Sequence, residues 1–413
     1  MPSTATQPIS PKYRIVAIDV LRGFALLGIL LMNIRSFSMI GTAYFNPEAA
    51  GPISSVDHTI WWLGQLLADQ KFMALFSMLF GAGVVLMYER RDAEGLGSAG
   101  LHYRRMIWLG VIGVLHAYVL WFGDILYAYA MCGLWLFLLR RRGPILLISL
   151  GLVLLIIGSG LNALIGWSVQ YWPEESQAEM LAFTQPDAQM IADETAARRG
   201  GWWSQMAFRA PLALELQTFF FVMWGIWRAG GVMLLGMGLL KLGVLRGTAP
   251  TRVYVTLIVL ACAVGLPLIA SDLWRYPANE RGSIEAMFLG TLGNYWGSVL
   301  LAMGYASVII LVVRSGALSW ITAPLAAVGR MALTNYLAQS VICHALFYGT
   351  LGIGLLGKLN WSQQMGIVTV IWAIQLAWST WWLKRHSMGP MEALWRRLSY
   401  GKRPSTPPRV TAG

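Results

Sequence analysis

The sequence predicts an all-α protein, a polytopic integral membrane helical bundle of about ten transmembrane helices with both termini cytoplasmic. Of its 413 residues, 57% are hydrophobic and 12% are charged, and the mean hydropathy is +0.58. Soluble domains carry about 25% charged residues, roughly twice this fraction. The apolar residues also fall into blocks of about twenty, the length of helix that crosses a bilayer. These observations exclude an ordinary soluble domain.

The apolar blocks predict ten spans along the chain. We assign them to residues 15–36, 72–88, 106–122, 125–139, 144–167, 216–240, 253–271, 286–313, 321–350 and 365–383. The eighth and ninth exceed the ~20 residues that a span needs, so we expect tilt or a break there. The segment Thr59 to Ala68 precedes the second span and is expected to be an interfacial helix. The first block lacks a small-residue cleavage pattern, so we expect it to be retained.

The positions of the cations predict the orientation, because Lys and Arg near span ends resist translocation. With the N-terminus inside, the inner segments hold 20 of the 31 Lys and Arg residues, and the outer segments hold eight. The other three, Arg22, Arg228 and Arg330, lie inside spans. Residues 1–400 are expected to form a single transmembrane domain. Residues 401–413 are expected to be a disordered basic cytoplasmic tail.

Several partner classes are not expected. The net charge is +12, but the cations are dispersed between apolar blocks rather than gathered on one basic face, so we expect no nucleic acid. The three cysteines lie inside apolar blocks and form no CxxC pair or disulfide framework. The chain has no Walker loop, no HExxH and no GxSxG motif. We therefore expect no metal site, and the partner that the composition indicates is the lipid bilayer.

Ionisable groups inside spans are energetically expensive, and they often mark functional sites. Asp19 and Arg22 lie at i, i+3 in the first span. They could form a structural ion pair, or Arg22 could face a cytosolic pocket and bind an anionic ligand. The residues leave both interpretations open.

The ninth span is the most polar of the predicted helices. Its polar residues form three ladders at i, i+4 spacing: Arg330 with Thr334, Asn335 with Gln339, and Tyr336 with Ser340 and His344. The ladders cover more than one helix face, so part of this helix must meet protein or water rather than lipid. Structural packing would account for part of this pattern, and a polar cavity would account for all of it.

Further polar candidates lie near the predicted outer ends of spans one to four. They are Asn33, His58, Asp69, Lys71, His116 and Asp124. A lone membrane Asn more often makes an interhelical hydrogen bond, and a loop histidine is by default solvated. Histidine is nevertheless the side chain that exchanges a proton near neutral pH. The substrate-binding candidates of the whole chain are Arg22, Asp69, Lys71, Asp124, Arg330, Asn335 and Gln339.

Three patches of the sequence together resemble one family. They are the opening RIVAIDVLRGFALLGILLMNI, the middle block KFMALFSMLFGAGVVLM with HAYVLWFGDILYAYAMCG, and the late GRMALTNYLAQS with GPMEALWRRLSYG. These patches look like YeiB-type bacterial inner-membrane proteins, and the match spans nearly the whole chain. That family is generally grouped with membrane-embedded acyltransferases, including the lysosomal heparan-α-glucosaminide N-acetyltransferase.

The opening is similar to that enzyme's, with an Asp-x-x-Arg-Gly entry to the first span and an Asn near its outer end. Downstream, His58, Trp61, Ala68-Asp69 and Phe72 are similar to the enzyme's pattern, with a one-residue slip before the Asp. The resemblance implies that Asn33 and His58 occupy the catalytic Asn and His positions.

We therefore expect an acyltransferase that moves an acyl group, in the first place acetyl, from cytosolic acyl-CoA to a hydroxyl or amine at the outer face of a bacterial inner membrane. His58 would be the general base, and Asn33 would stabilise the negative charge that develops on the thioester carbonyl. Arg22 and Arg330 would hold the phosphates or pantetheine of the donor. The acceptor would be a small molecule or a glycan, and a homodimer is left open. The alternatives are a transporter or exporter of a small anionic or amphipathic solute, and a scaffold subunit.

Overall fold

The structure is a computed structural model that describes residues 15–349 and 352–400, apart from the side chain of Asn279. Within these ranges the chain forms helices and no β-strand, which confirms the predicted all-α class. The α-helices are α1 Val16–Ser38, α2 Ser55–Leu67, α3 Lys71–Ala93, α4 Ala99–Val119, α5 Leu126–Leu136, α6 Pro144–Ser168, α7 Glu174–Thr184, α8 Ala188–Arg199, α9 Trp202–Gln217, α10 Ile226–Lys241, α11 Thr251–Leu260, α12 Leu266–Arg275, α13 Ile284–Phe288, α14 Leu292–Ser315, α15 Ser319–Arg330, α16 Ala332–Phe347, α17 Trp361–Leu383 and α18 Pro390–Tyr400. The predicted tail, 401–413, lies outside the described residues.

Seven helical segments of the described ranges are long and apolar enough to cross a membrane. They are Val16–Ser38, Ser55–Ala93, Pro144–Tyr171, Trp202–Lys241, Thr251–Arg275, Ile284–Ser315 and Trp361–Leu383. Each overlaps one of the predicted spans, and together they make the chain a membrane protein.

The other three predicted spans coincide with shorter or more polar helices. Helix α4 carries Arg104 and Arg105 in its first half. Helix α5 has 11 residues and continues as a short 3₁₀ turn. The ninth block contains the expected break, because α15 ends at Arg330 and α16 begins at Ala332.

The first loop returns to the bundle through a sharp turn. Helix α2 begins after Ser54, whose hydroxyl accepts a hydrogen bond from the Asp57 amide at 3.1 Å. Gln70 then adopts a left-handed conformation with φ 62°, and α3 begins at Lys71. The turn separates α2 from the second span, so the segment predicted as an interfacial helix is a helix of its own.

The centre of the bundle is formed by close crossings between helices with small residues. At the α1–α15 crossing, a Cβ on Gly23 would overlap the Leu325 carbonyl oxygen, and a Cβ on Gly329 would overlap that of Asp19. These glycines let the two backbones touch, as small residues do in membrane helix pairs.

The two ends of the bundle are closed by different elements. At the α8 end, Arg198 is buried and donates to the last carbonyl groups of α1, including Ser36 at 2.5 Å and Phe37 at 3.1 Å. At the α18 end, Glu392 accepts hydrogen bonds from the amides of Leu333 and Thr334 at 2.7 and 3.1 Å. The carboxylate therefore caps the start of α16 and joins this helix to α18.

Candidate functional site

A buried Ser–His–Asp relay connects α4, the α4–α5 turn and α16. His116 Nδ1 lies 2.9 Å from Asp124 Oδ1, and His116 Nε2 lies 2.8 Å from Ser340 Oγ. The His116 and Asp124 side chains are each 1% exposed. In the neutral imidazole, Nδ1–H donates to the carboxylate, and Nε2 then accepts the proton of the Ser340 hydroxyl. This is the arrangement in which a histidine can act as a general base toward a serine.

The α4–α5 turn holds Asp124 in position. Its Oδ2 atom accepts a hydrogen bond from the Tyr127 amide at 2.8 Å, which caps the start of α5 and leaves Oδ1 for His116. A Cβ on Gly113 would overlap the Tyr127 nitrogen and would lie 2.8 Å from Asp124 Oδ2. The turn therefore packs directly on the α4 backbone, one helical turn before His116.

Helix α16 presents the Tyr336–Ser340–His344 ladder to the end of α4. The Tyr336 ring lies 5.1 Å from the His116 ring, and His344 Nδ1 lies 3.1 Å from the Leu120 carbonyl oxygen. The Tyr336 hydroxyl is buried beside the Ile125 backbone. A buried hydroxyl needs a hydrogen-bond partner, and a backbone N–H that donates to its oxygen leaves its own proton to be donated.

Asn335 and Gln339 lie on the adjacent face and bind α17. Asn335 Nδ2 donates to Ser379 Oγ at 2.9 Å, and Gln339 Nε2 donates to Gln375 Oε1 at 2.9 Å. In the described part of the chain, the oxygen atoms of both amides are buried without a hydrogen-bond partner. The two residues join α16 to α17 beside the relay, and each keeps one free acceptor.

No hydrogen bond joins the side chains of Asn33 and His58. His58 is exposed on α2, and its ring contacts Trp61 at 5.6 Å. Asn33 is half-buried on α1. Arg35, two residues later, lies against Gly64 of α2, since a Cβ on Gly64 would overlap its guanidinium. The pairing of Asn33 with His58 stays a prediction.

Asp69 and Lys71 belong to a second buried polar cluster, which Asn294 bridges. Asn294 Nδ2 donates to Asp69 Oδ2 at 2.6 Å, and Lys71 Nζ donates to Asn294 Oδ1 at 2.6 Å. The Tyr44 hydroxyl donates to Asp69 at 3.2 Å. Burial, reinforced by the Asp69 charge, raises the pKa of Tyr44 well above its ordinary value, so Tyr44 remains a donor. Nearby, Arg228 donates to the Tyr295 carbonyl oxygen at 2.7 Å.

Asp19, Arg22 and Arg330 lie toward the α18 end. Arg22 Nη1 is 3.9 Å from Asp19 Oδ1, which is a loose ion pair. Arg330 Nη2 donates to the Ser387 carbonyl oxygen at 3.1 Å. The α1–α15 crossing brings the helices of Arg22 and Arg330 together at this end, about 15 Å of helix from Ser340.

The sequence identifies each residue of the relay as a polar residue, but it does not predict that the three residues are in contact. His116 and Ser340 are 224 positions apart, and no spacing rule joins them. The available signal was that His116, Asp124 and Ser340 are each polar groups in or beside apolar segments. In the described ranges, no group of three or more His, Cys, Asp or Glu residues could hold a metal ion.

Comparison with known proteins assigns the chain to a family. It is 33% identical over 398 residues to the uncharacterized protein YeiB of Escherichia coli, which covers 94% of this chain and 96% of that protein. The chain belongs to the YeiB-like family. It is also similar to the uncharacterized protein YxaH of Bacillus subtilis, with 29% identity over 96% of this chain and 97% of that protein. Residues 239–402 match a family model described as a protein of unknown function, DUF418.

The family model spans the elements that make one wall of the relay. Its residues 239–402 include α16 with Ser340, the facing α17, and α18 with Glu392. His116 and Asp124 lie outside that range but inside the alignment with YeiB, since that alignment covers 94% of the chain.

Proposed function

We propose that this protein is a membrane-embedded acyltransferase whose catalytic group is the Asp124–His116–Ser340 relay. The observation that carries the proposal is the pair of hydrogen bonds at 2.9 and 2.8 Å that joins the three side chains. The donor is an acyl thioester of the acyl-CoA type, with acetyl-CoA as the first candidate. The acceptor is a hydroxyl or amine of a small molecule or glycan.

The chemistry assigns one role to each side chain. His116 takes the Ser340 hydroxyl proton as Ser340 Oγ attacks the thioester carbonyl carbon. The carbon–sulfur bond then breaks, the proton passes to the leaving thiolate, and the acyl group stays on Ser340. In the second half, His116 deprotonates the acceptor, which attacks the acyl-serine and regenerates Ser340. Asp124 orients the imidazole and stabilises its charged form.

Tyr336 is the candidate oxyanion donor. Its ring lies beside the His116 ring, and its hydroxyl proton can be donated to the carbonyl oxygen as negative charge develops. Removing one such donor typically costs about 10²–10³-fold in rate.

The proposed topology has ten spans with both termini cytoplasmic, in the inner membrane of a bacterium. The 20-to-8 distribution of cations supports it. The α18 end, with Arg22 and Arg330, would then face the cytosol and receive the donor. Ser340 lies eight residues into α16, so the thioester would have to reach about 12 Å from the start of that helix.

Thioester turnover by the purified full chain in lipid nanodiscs tests the proposal. The wild-type protein should release thiol from acetyl-CoA and carry one acetyl group on Ser340 after rapid quenching, detected by peptide mass spectrometry. Ser340→Ala and His116→Ala should each lower turnover by at least about 10³-fold. His344→Ala, on the same ladder but outside the relay, is the matched control and should retain most activity. Equal losses in all three variants would remove the relay from catalysis.

One further variant, His58→Ala, tests the role that the family resemblance implies for His58. If His58 is the base instead, His58→Ala abolishes turnover while Ser340→Ala does not. If the relay is the catalytic group, the reverse pattern appears, because an exposed α2 histidine contacts none of the relay residues.

A transporter is the second candidate, and the Asp69–Lys71–Asn294 cluster is the observation that favours it. Buried ionisable groups in membrane segments often mark solute or proton pathways. Transport needs no nucleophile, so Ser340→Ala would leave it intact, while Lys71→Met would abolish it. Absence of thiol release from the wild-type protein would favour this candidate.

A further inference from the structure

A pocket rich in arginine opens where the α3–α4 loop faces the α5–α6 turn. It encloses a cavity of 440 Å³. Four arginines line it, against a single acidic residue, Asp92; the arginines are Arg91, Arg104, Arg140 and Arg141. We refer to it as the four-arginine pocket. It contains none of the residues of the relay or of the Asp69–Lys71–Asn294 cluster.

All four arginines line the cavity, and the guanidinium groups of three of them contact protein surface. Arg91 uses Nε to donate to the Gly97 carbonyl oxygen at 2.8 Å. Arg140 lies over the Phe137 ring at 3.9 Å, and Arg140 and Arg141 lie over the Tyr88 ring at 5.4 and 5.7 Å. The aromatic faces favour the cations and orient their planes. Several fork-shaped donors are thereby gathered around one space.

The start of α4 forms part of the same wall. Ala99, Gly100 and Leu101, the first three residues of this 21-residue helix, line the cavity. The N-cap residue Ser98 makes no side-chain capping bond, so the first amides of α4 lack a side-chain cap at this wall of the cavity. The positive end of the helix dipole adds to the four guanidinium groups.

This concentration of positive charge favours an anionic ligand. Like charges in one concave site repel one another, and one carboxylate cannot balance four guanidinium groups. Planar Arg donors match phosphate oxygens in bidentate geometry, and the volume lies within the ~300–1,000 Å³ typical of small-molecule sites.

We propose that the four-arginine pocket binds a ligand that carries two or more phosphate groups. The same phosphate chemistry has two sources, a soluble phosphoester and the headgroups of anionic phospholipids. The proposal does not depend on acyl transfer, because binding requires neither His116 nor Ser340.

The test compares two double variants of the full chain that each remove two positive charges. Arg104→Ala/Arg141→Ala removes two lining arginines whose side chains are exposed and, in the described ranges, make no hydrogen bond. Folding should therefore be preserved. Arg90→Ala/Arg142→Ala removes the neighbouring arginines, which do not line the cavity. The probes are inorganic pyrophosphate, titrated by calorimetry in detergent, and phosphatidylglycerol, counted by native mass spectrometry after release from mixed phosphatidylcholine nanodiscs.

If the ligand is a soluble phosphoester, pyrophosphate binding should weaken by about 100-fold in the lining variant, roughly tenfold per guanidinium. In the control variant it should weaken by less than about threefold. A lipid source predicts phosphatidylglycerol retained by the wild type and the control but lost from the lining variant. Either result supports ligand binding in the four-arginine pocket and identifies the source of the phosphate groups. Equal changes in both variants, or a wild type that binds neither probe, would overturn it. Ser340→Ala should bind as the wild type does, which separates this outcome from failure of the acyltransferase proposal.

Discussion

Replacement of Glu392 tests whether α18 stabilises the start of α16. The Glu392 carboxylate accepts from the Leu333 amide at 2.7 Å, the Thr334 amide at 3.1 Å and the Thr334 hydroxyl at 2.6 Å. In Glu392→Ala, both amides at the start of α16 lose their acceptor. Helix caps contribute about 0.5–2 kcal/mol, and hydrogen bonds to charged groups about 1.5–3 kcal/mol each without being additive. We expect Glu392→Ala to lower the free energy of unfolding by about 3 kcal/mol.

The isosteric variant separates hydrogen bonding from charge. In Glu392→Gln, the side-chain oxygen can still accept from the two amides, and the new amide can donate to the Thr334 hydroxyl. We expect a loss of at most about 1 kcal/mol. Reversible unfolding in mixed micelles, followed by tryptophan fluorescence, measures both variants.

The pH dependence supplies an independent readout on the same residue. Burial raises the pKa of Glu392 above its ordinary value of 4.5 despite the hydrogen bonds from Thr334 and Leu333. The folded state therefore binds a proton that the unfolded state releases, and the stability contributed by this proton is fully present below pH 4.5. It is lost as the pH rises through the folded pKa. Glu392→Gln carries no titrating group and should lack this dependence. A Gln variant as unstable as the Ala variant, or an Ala variant within about 1 kcal/mol of the wild type, would refute the capping role.

Three further predictions address topology, packing and the α8 end. Reporter fusions after Arg142 and within the segment Gln177 to Thr195 should report opposite sides of the membrane; the same side for both would exclude the ten-span topology. Gly329→Ala should destabilise the fold by about 1–3 kcal/mol because its Cβ overlaps the Asp19 carbonyl oxygen, whereas Gly366→Ala, where nothing lies within 4 Å, should be neutral or stabilising. Arg198→Ala should increase hydrogen exchange in α8, since it removes the donor to the α1 carbonyls; unchanged exchange would show that α8 docks by other contacts.

The sequence by itself was sufficient to predict the fold class and the positions of most of the spans. Hydrophobic runs of about twenty residues identify membrane helices because the bilayer imposes their length. The seven long apolar segments of the structure all overlap predicted spans. The sequence also indicated tilt or a break in the eighth and ninth blocks, because each is longer than one span needs, and the structure has a break in the ninth.

The candidate site could be predicted from the sequence only in part. A polar residue in a span indicates that it contacts another polar group, but it does not identify that group. His116, Asp124 and Ser340 were recognised as polar residues, but their contact depends on packing between α4 and α16. The pairing of Asn33 with His58, which the resemblance implies, stays a prediction: no hydrogen bond joins the two side chains, and His58 is exposed on α2. The pairing of Arg104 with Arg141 around one cavity likewise arises only when the α3–α4 loop meets the α5–α6 turn. Periodicity along the chain is a local property that the bilayer enforces. Which polar faces meet is decided by helix rotation and close glycine contacts, to which residues far apart in sequence contribute together.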